Sequence, residues 1–534
     1  SYTMPRHGVR RSIVRESVVN KLLILIKRLL ETPSQRIFKR GFERAARLIW
    51  NHYIVILIAI FTFSTAAIVA QAKVITVCPS GCDYSSIQSA IDAANNGDLI
   101  EVYSGNYPEN LNVNKQITLQ GYDTGDGKPI INGSGQSGNG ITVNAEGVLI
   151  DGFEIKHWKS IFGGSGRGVV INENNVTIRN CEIWDNTVGI WIESNYNKIY
   201  KCKIYANNVG ISVVATYGNR IENSSIFINE CGISLEGVSS SNFISKNSIY
   251  SNGIGIHITA GSGNFIVEND IWENKDGIGF LLAVNSYIAG NYIGLNERGI
   301  VISRDNPGGH IIWFNSFLEN QEDIWSGQQT FILPNNWNSS KQLIYEYEKN
   351  IYCNYLGNYW SGYTGLDENG DGIGDTPYEI RCYDPSLDKY IVIGEDNYPL
   401  MQDIISYDLL ATVSAPKVFA KADQEIIEAG NKLWGNRIIV NPTSQTLHFR
   451  CVNEIRNSTG FLQKSWEVSG YLGAHEIWNK RGYIYIPVWA PSDIYTYTAI
   501  LYDADTNKEL DRCSLSFKVL GLAEKSKIGD WGWY

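Results

Sequence analysis

The residues best suited to chemistry lie together in the stretch DENGDGIGD, which runs from Asp367 to Asp375. Oxygen donors fall at positions 1, 3, 5, 7 and 9 of this pattern, and they are Asp367, Asn369, Asp371, the carbonyl of Ile373, and Asp375. Calcium prefers oxygen ligands at this spacing. Position 12 is Tyr378 instead of Glu, and no helices flank the loop. We expect a structural calcium site here, with a solvated Asp/Gly turn as the alternative.

A second set of candidate residues is aromatic. One ring recurs every 21 to 23 residues, each directly after an isoleucine, at Trp184, Tyr205, Phe227, Tyr250 and Trp272. Because side chains alternate along a strand, the residue after a buried isoleucine is expected to point outward. Exposed rings lower solubility unless something covers them. We expect a face that binds sugar rings or a partner; the alternative is cover by the protein itself or a slight inward rotation.

Candidates for catalysis are fewer. Glu193 and Glu236 lie two repeats apart, which is about 9.6 Å at the usual strand spacing and at the wide end for an acid and base pair. His257 is a possible base on the same side of the repeat. A lyase needs a base and a group that neutralises a carboxylate close together, and no Asp cluster with a neighbouring Lys or Arg is evident. No catalytic residue is assigned.

The repeat that positions these residues has three linked columns. Gly-Ile pairs begin at Gly189, Gly210, Gly232, Gly255, Gly277 and Gly299, with an Asn three residues before each Gly and an Ile three residues before each Asn. Short alternating strands such as GIWIE cannot bury an apolar face alone, but stacked units can. The repeat therefore predicts an all-β fold, a right-handed parallel β-helix of about 22 residues per coil.

The columns also predict roles within each coil. The repeated Asn is expected to take the left-handed conformation at a turn and to form an amide ladder, and the Gly to permit a sharp return into the next strand. A second polar column begins with two cysteines, which would be stacked thiols or a disulfide, and it runs Cys181, Cys202, Ser224, Asn247, Asn269, Asn291, Asn315.

Two segments resemble known families. SIQSAIDAANNGDLIEVYSGNYPEN, from Ser86, resembles the first segment of right-handed β-helix proteins of the carbohydrate-binding and sugar-hydrolase (CASH) type, in which a helix at Ile87–Ala94 would cap the open end. YLGNYWSGYTGLDENGDGIGDTPYEI, from Tyr355, resembles the closing segment of NosD-like proteins, which are common among archaeal surface proteins. The resemblance covers Ala72–Met401 and implies a fold more than an activity. NosD is associated with copper maturation, but two Met and seven scattered His give no evident copper site.

The first part of the chain indicates a membrane anchor. Residues 1–50 hold twelve Lys and Arg against three Glu, and the uncharged run Ile54–Ala70 follows. Such a run is just long enough to span a bilayer, and the positive-inside rule places the basic side in the cytoplasm. We expect a basic cytoplasmic arm at 1–52 and a transmembrane or signal-anchor segment at 53–72. Cleavage after AQA at Ala70–Ala72 is the alternative.

An extracellular body permits disulfides and glycosylation. A disulfide between Cys78 and Cys82 would close a small loop. Cys451 and Cys513 stand about where a disulfide would link the two sheets of a C-terminal β-sandwich. Cys353 and Cys382 flank the acidic loop. Sequons begin at Asn132, Asn175, Asn223, Asn338 and Asn457.

The domain organisation and function follow from these patterns. Residues 73–403 are expected to be the β-helix with its N-terminal cap and C-terminal calcium-type loop, and 404–534, with about seven longer strands, an immunoglobulin-like β-sandwich. We expect a membrane-anchored, extracellular, non-catalytic surface protein that binds glycans or assembles with other cell-surface proteins, and that binds no nucleic acid. The alternative is a polysaccharide-modifying enzyme, a lyase, hydrolase or epimerase, of the pectin-lyase-like fold.

Overall fold

The computed structural model describes residues 72–159, 166–327, 334–384, 388–413, 415–443, 445–473 and 476–521. The chain divides into two units, Ser1–Ala72 and Lys73–Tyr534. The predicted basic arm and the anchor at 53–72 lie outside the described residues, apart from Ala72. Across the described ranges, no helix has the length and apolar character needed to cross a membrane.

The larger part of the second unit is a parallel β-solenoid with three sheets, which we name A, B and C. Each of the ten complete coils contributes one strand to each sheet, and strands of successive coils pair in parallel; β1 and β34 add one strand at either end. Sheet A contains β1 (Val74–Val77), β2 (Leu99–Tyr103), β5 (Thr118–Tyr122), β8 (Leu149–Asp151), β11 (Thr177–Arg179), β14 (Lys198–Tyr200), β17 (Arg220–Glu222), β20 (Phe243–Ser245), β23 (Phe265–Val267), β26 (Tyr287–Ala289) and β29 (Ile311–Trp313).

Sheet B follows sheet A in each coil. It contains β3 (Asn106–Tyr107), β6 (Ile130–Asn132), β9 (Glu154–Lys156), β12 (Glu182–Trp184), β15 (Lys203–Tyr205), β18 (Ser225–Phe227), β21 (Ser248–Tyr250), β24 (Asp270–Trp272), β27 (Tyr292–Gly294), β30 (Ser316–Leu318) and β34 (Tyr359–Trp360). Sheet C contains β4 (Leu111–Val113), β7 (Ile141–Val143), β10 (Arg167–Ile171), β13 (Val188–Ile192), β16 (Val209–Val214), β19 (Cys231–Glu236), β22 (Ile254–Ser262), β25 (Asp276–Val284), β28 (Arg298–Ile302) and β31 (Glu322–Ser326).

Isoleucines fill the interior of the solenoid. In sheet B the strand register pairs each repeat's isoleucine with the next, so Ile183 lies over Ile204 and Ile204 over Ile226. All three are fully buried. Burying one such side chain contributes about 1.5–3 kcal/mol, and three sheets of β-branched residues stacked in register give the solenoid a continuous core. The predicted columns and the period of about 22 residues are confirmed.

The corners of the coils differ from the prediction in one respect. The repeated Asn does not take the left-handed conformation; the residue before it does, as at Asp185 (φ 55°), Ala206 (φ 54°) and Ile228 (φ 54°). This bend turns the Asn side chain into the corner, where Asn207 is buried. The left-handed conformation costs a non-glycine residue about 1–2 kcal/mol, and the hydrogen bonds of the buried amide offset that cost.

The glycine column also has a different reason from the predicted one. Gly189, Gly210 and Gly232 have no positive φ. A Cβ at Gly189 would stand 2.5 Å from the carbonyl oxygen of Gly210 in the next coil, and the same holds at Gly210. Glycine is therefore required by the close approach of neighbouring coils. The glycine column ends at Asp323 in β31, the last strand of sheet C. The carbonyl oxygen of Asp323 would stand 2.6 Å from a Cβ at Gly299.

A short helix closes the first end of the solenoid, as predicted. Helix α1 (Ile87–Ala93) begins after Ser86, whose side chain accepts a hydrogen bond from Ser89 N, and it buries Ile87, Ala90 and Ile91. The Glu109 carboxylate accepts hydrogen bonds from Ser86 Oγ, Ile87 N and Gln88 N. An acidic group at the N-terminus of a helix satisfies its unpaired N–H groups. Glu109 therefore holds the cap on the first coil.

Aromatic rings and a three-stranded sheet close the other end. Phe317 and Trp360 continue the isoleucine column of sheet B and stack at 4.4 Å, and Tyr378 stacks on Trp360 at 4.8 Å. Tyr378 begins the antiparallel hairpin β35 (Tyr378–Asp384) and β36 (Lys389–Asp396).

The three-stranded sheet, which we name the connector, contains β32 (Gln342–Tyr347), β33 (Asn350–Asn354) and β37 (Tyr407–Val413), the last preceded by a 3₁₀ turn at Ile404–Ser406. Its two faces pack on different parts of the second unit. Leu343, Tyr345 and Tyr347 join Trp313 and Phe314 of the solenoid in one cluster. On the opposite face, Ile344 and Ile351 cluster with Ile438 and Val440 of the module that follows.

That C-terminal module has two sheets around one core. One sheet contains β38 (Lys417–Ala422), β40 (Lys432–Val440) and β43 (Ile477–Tyr485), and the other β39 (Ile426–Glu428), β41 (Leu447–Arg456), β42 (Leu462–Leu472), β44 (Asp493–Asp503) and β45 (Glu509–Leu520). Leu433 and Ile484 of the first sheet and Phe449, Tyr497 and Phe517 of the second share this core. The turn within DADTNKELD joins β44 to β45 as an antiparallel hairpin.

The cysteines confirm one predicted pairing and contradict another. Cys78 and Cys82 form a disulfide. Cys451 and Cys513 are free; they lie on β41 and β45 of the same sheet with β44 between them, so they cannot join two facing sheets. Cys181 and Cys202 are buried free thiols, one of the two states expected for that pair. The Cys382 thiol exchanges hydrogen bonds with the backbone of Ser326.

Candidate functional site

The five predicted aromatic residues form one continuous stack on the outer face of sheet B, which we call the aromatic ladder. It consists of Trp184, Tyr205, Phe227, Tyr250 and Trp272. Successive ring centroids are 5.8, 4.9, 4.9 and 4.5 Å apart, and the ring planes differ by 3–9°. All five side chains are half-buried, so the predicted outward direction is correct.

The stacking decides what the ladder offers to solvent. Parallel strands hold the rings about 4.8 Å apart, and at that spacing flat side chains lie face to face along the solenoid. Tyr205, Phe227 and Tyr250 therefore cover one another's faces and present only their edges. A sugar chain lying along the middle of the ladder would therefore meet ring edges.

The first ring of the ladder is covered on its free side. The His157 ring lies 4.9 Å from the Trp184 ring at 73°, and Lys156 Nζ lies 4.8 Å from the centroid of the same ring. Trp184 Nε1 donates to the Glu154 carboxylate, which also pairs with Lys156. This end of the ladder is held by packing and charge.

Polar residues run beside the ladder, two positions earlier in each strand. The Glu182 carboxylate accepts hydrogen bonds from Lys203 Nζ (3.1 Å) and Tyr205 OH (2.9 Å). Burial raises the pKa of Tyr205, and the hydrogen bond to Glu182 raises it further. The Tyr205 hydroxyl therefore stays protonated. The corresponding residues further along are Ser225, Ser248 and Asp270.

The last ring of the ladder borders an open slot. In register with Trp272 the next coil has Gly294, which carries no side chain. A cavity of about 370 Å³ opens there, lined by Asp270, Trp272, Tyr292 and Leu295. The Tyr292 ring lies over Gly294, since a Cβ on that glycine would come within 2.8 Å of it.

The three residues considered for catalysis lie on the outer face of sheet C, but His257 does not contact either glutamate through a hydrogen bond or an ion pair in the described part of the chain. Ser212 Oγ donates to the Glu236 carboxylate at 3.0 Å, while Glu193 is exposed. Burial lowers the pKa of His257, and its ring lies across Gly279. No acid–base pair is assembled by these contacts.

The acidic loop is organised by hydrogen bonds to its own backbone. The Asp367 carboxylate accepts from the N–H groups of Gly370, Asp371 and Gly372, and Asn369 Oδ1 and Asp371 Oδ1 accept from Asp371 N and Ile373 N. Asp375 accepts from Glu368 N. In the described ranges no three side chains of His, Cys, Asp or Glu are gathered as a metal site. The donor chemistry suits a hard cation, but binding would require these carboxylates to draw together.

A second cleft lies at the C-terminal end of the solenoid. It has a volume of about 870 Å³ and lies between β31 and β35, with Trp360 and Tyr363 among its lining residues. Glu322 and Asp323 contribute acidic side chains to the wall formed by β31. Burial raises the pKa of Asp323.

Sequence reasoning did not identify this cleft or the slot beside Trp272, although the absence of a sixth ring at Gly294 was visible in the repeat.

Comparison with known proteins finds a family model that matches part of this chain. Residues 119–365 match the family model described as "Periplasmic copper-binding protein (NosD)". A cell surface glycoprotein from Methanothermus fervidus is 31% identical over 140 residues, which are 26% of this chain and 21% of that protein. The chain therefore spans about a fifth of the length of this curated relative.

Two solved structures show weaker likeness. The A-module of a mannuronan C-5 epimerase from Azotobacter vinelandii matches with a TM-score of 0.32 and 13% identity, over 49% of this chain and 89% of that one. A CARDB domain from Pyrococcus furiosus, solved in complex with di-metal ions, matches with a TM-score of 0.17 and 17% identity, over 20% of this chain and 90% of that one. Neither likeness is close enough to bear on function.

The family description names copper, and the residues of this chain that the structure describes do not form a copper centre. The sequence has two Met and seven His, and the described residues gather no group of three or more His, Cys, Asp or Glu. No copper chemistry is carried over from the description. Residues 119–365 are therefore similar to the NosD family, and the structure there is a parallel β-solenoid with coils of about 22 residues.

Proposed function

We propose that this chain is a non-catalytic cell-surface protein whose solenoid presents the aromatic ladder to glycans. The observation that carries the proposal is the outward stack of five rings on sheet B, whose ring contacts are with one another, with His157 and with lysines. An apolar strip of this kind on an outer face marks a binding surface. Other cell-surface proteins are the alternative partners.

The surface location has two supports. The relative from Methanothermus fervidus is a cell surface glycoprotein, and the family description is periplasmic. We further propose the arrangement predicted from the sequence: a cytoplasmic arm at 1–52, an anchor at 53–72, a right-handed β-helix outside the membrane, and an immunoglobulin-like module at its far end. Sequons at Asn175 and Asn223 are exposed, and we propose that they carry glycans.

A structural calcium ion at the acidic loop belongs to the same proposal. Asp367, Asn369, Asp371 and Asp375 supply side-chain oxygens and Ile373 a carbonyl, the ligand types that calcium takes. The ion would fix the loop against the end of the solenoid.

The experiment compares the full chain with two double variants on matched surfaces. Trp184→Ala with Trp272→Ala removes both ends of the ladder on sheet B. Phe243→Ala with Phe265→Ala removes a ring pair of the same kind, stacked at 4.6 Å on sheet A. Binding is measured to protease-treated polysaccharide and to deglycosylated protein, both from envelopes of the native cells.

We expect the sheet B variant to lose polysaccharide binding while the sheet A variant keeps it, with both chains folded by circular dichroism. Retention of polysaccharide binding by the sheet B variant contradicts a glycan-binding ladder. Loss of binding to the protein fraction alone makes assembly with other surface proteins the function.

A further inference from the structure

The ladder has one ring face that no side chain of the stack covers. Each interior ring lies between two neighbours, and Trp184 has His157 and Lys156 on its outer side. Trp272 stacks on Tyr250 with one face only, at 4.5 Å. Its other face looks toward Gly294 in the next coil. Five consecutive coils place an aromatic side chain at this position, and the sixth places none.

The spacing of the coils at this glycine matches the thickness of one stacked ring. Strand spacing separates neighbouring coils by about 4.8 Å, and the rings of the ladder occupy that spacing at 4.5–5.8 Å. A flat six-membered ring inserted above Trp272 would therefore continue the stack. The cavity of about 370 Å³ falls in the usual size range of small-molecule sites.

The walls of the slot combine an apolar platform with polar groups. Trp272 provides the platform, and Leu295, 46% exposed, adds apolar surface. Asp270 and Tyr292, which pair in register on neighbouring coils, also line the cavity and carry a carboxylate and a hydroxyl. Within the described part of the chain neither group has a hydrogen-bond partner. Both are therefore available to hydroxyl groups of a ligand.

This combination selects a chemical class. The face of an indole ring is electron-rich and attracts the weakly positive C–H groups on the apolar face of a sugar ring. A carboxylate accepts hydrogen bonds from sugar hydroxyls, and it repels an anionic sugar. We propose that the slot binds one neutral pyranose unit, stacked on Trp272 and hydrogen-bonded to Asp270 and Tyr292. This assignment rests on the proposed glycan-binding function and places it at one end of the ladder.

The test uses the full chain and the methyl pyranosides of glucose, galactose, mannose and N-acetylglucosamine. Saturation-transfer NMR identifies the bound glycoside and the protons in contact, and titration gives its affinity. We expect contact through the C–H groups of one sugar face. Trp272→Ala should weaken binding at least tenfold, and Asp270→Asn several-fold. Phe265→Ala, in the ring stack of sheet A, should change affinity by less than twofold.

A second variant blocks the slot and keeps Trp272. Gly294→Phe adds a sixth ring beside the platform, and the three atoms nearest to its Cβ all belong to the tip of the flexible Tyr292 side chain, which must move to admit it. Because the added ring continues the stack, this variant should keep or raise the melting temperature and lose glycoside binding at least tenfold. Unchanged affinity in Gly294→Phe overturns the proposal even if Trp272→Ala is poorly folded.

The outcomes separate this inference from the proposed function. If Trp184→Ala and Trp272→Ala weaken binding equally, the ladder edges bind the glycan and the slot is not the site. If the chain binds envelope polysaccharide but none of the four glycosides, the slot assignment is wrong and the proposed function stands. If the chain binds neither, both are wrong.

Discussion

At the scale of single residues, Asp396 ends a stack of buried amides. In the corner between sheets A and B, the backbone N–H of each Asn donates to the side-chain oxygen of the next, from Asn291 to Asn315 and from Asn315 to Asn358. Asn358 N donates to Asp396 Oδ2 at 2.7 Å, and Trp360 Nε1 donates to the same oxygen at 2.9 Å. The last residue of the stack must accept hydrogen bonds and has no further residue to which it must donate. An ionised carboxylate, which only accepts, meets this requirement.

The burial of Asp396 makes stability depend on pH. Burial raises the pKa of this carboxyl to about 6, whereas an unfolded Asp titrates at about 3.9. Between these values the folded chain holds a proton that the unfolded chain has lost. The free energy of unfolding should therefore fall as pH rises from about 4 to 6, by about 3 kcal/mol from this group.

Urea unfolding at several pH values, compared between the full chain and Asp396→Asn, measures this contribution. The amide cannot ionise, so the difference between the two chains should vary across that pH range. A difference that stays constant from pH 4 to 7 contradicts the assignment.

At the scale of elements, the Asn ladders fix the corners of the coils. Asn207 Oδ1 accepts from the backbone N–H and the side-chain amide of Asn186, both at 3.0 Å. Its Nδ2 donates to the carbonyls of Ile183 and Tyr205 and to Asn229 Oδ1. Removing this side chain leaves buried donors and acceptors without partners, at about 1–3 kcal/mol for each group that stays unpaired.

Two adjacent asparagines test this role. Asn207→Ala should lower the free energy of unfolding by about 2–4 kcal/mol. Asn208→Ala, at the exposed neighbouring position, should change it by about 0.5 kcal/mol or less. Urea denaturation followed by circular dichroism gives both values. Equal losses in the two variants would show that the corner is held by packing and not by its amides.

Much of the solenoid could be predicted because each coil places the same residue types at the same positions. The isoleucine, asparagine and glycine columns follow from a one-dimensional spacing, and the structure places them in register. A third ladder, at Asn197, Asn219, Asn242 and Asn264, was missed. It lies in the corner between sheets C and A, and its asparagines stand outside the Ile-Asn-Gly columns by which the repeat was recognised.

The candidate site was predicted only in part. Sequence alternation gave the outward direction of the rings, but their face-to-face packing depends on the spacing of the strands. The slot depends on a missing side chain at Gly294 and on the position of Tyr292 over it, which a search for recurring residues does not reveal. The connector was also missed, since β32 pairs with β37 across about 65 residues of chain.

At the scale of the whole molecule, the connector joins the solenoid to the C-terminal module. One face packs against Trp313 and Phe314, and the other against Ile438 and Val440. Lys421 of the module bridges Glu346 (2.8 Å) and Asp408 (3.1 Å) of the connector. Because one small sheet contributes to two hydrophobic clusters, loosening it should weaken the attachment of both neighbours.

The acidic loop is tied to this connector. Tyr345 OH, on β32, donates to the carbonyl of Asp371 at 2.9 Å. Tyr407 OH, on β37, donates to the carbonyl of Gly372, which also accepts from Met401 N. A calcium ion that fixes the loop would therefore also fix the two connector strands.

Calcium removal should lower the melting temperature of the full chain, measured by differential scanning calorimetry with calcium and with a chelator. Asp371→Ala should melt at the lower temperature in both conditions, because it removes a proposed ligand. Asp123→Ala is the matched control: Asp123 also accepts from the N–H groups of two following glycines, but its loop lacks the calcium pattern, so this variant should keep the calcium dependence. Identical melting of the unmodified chain with and without calcium contradicts the site, and the loop is then a solvated turn held by its own backbone hydrogen bonds.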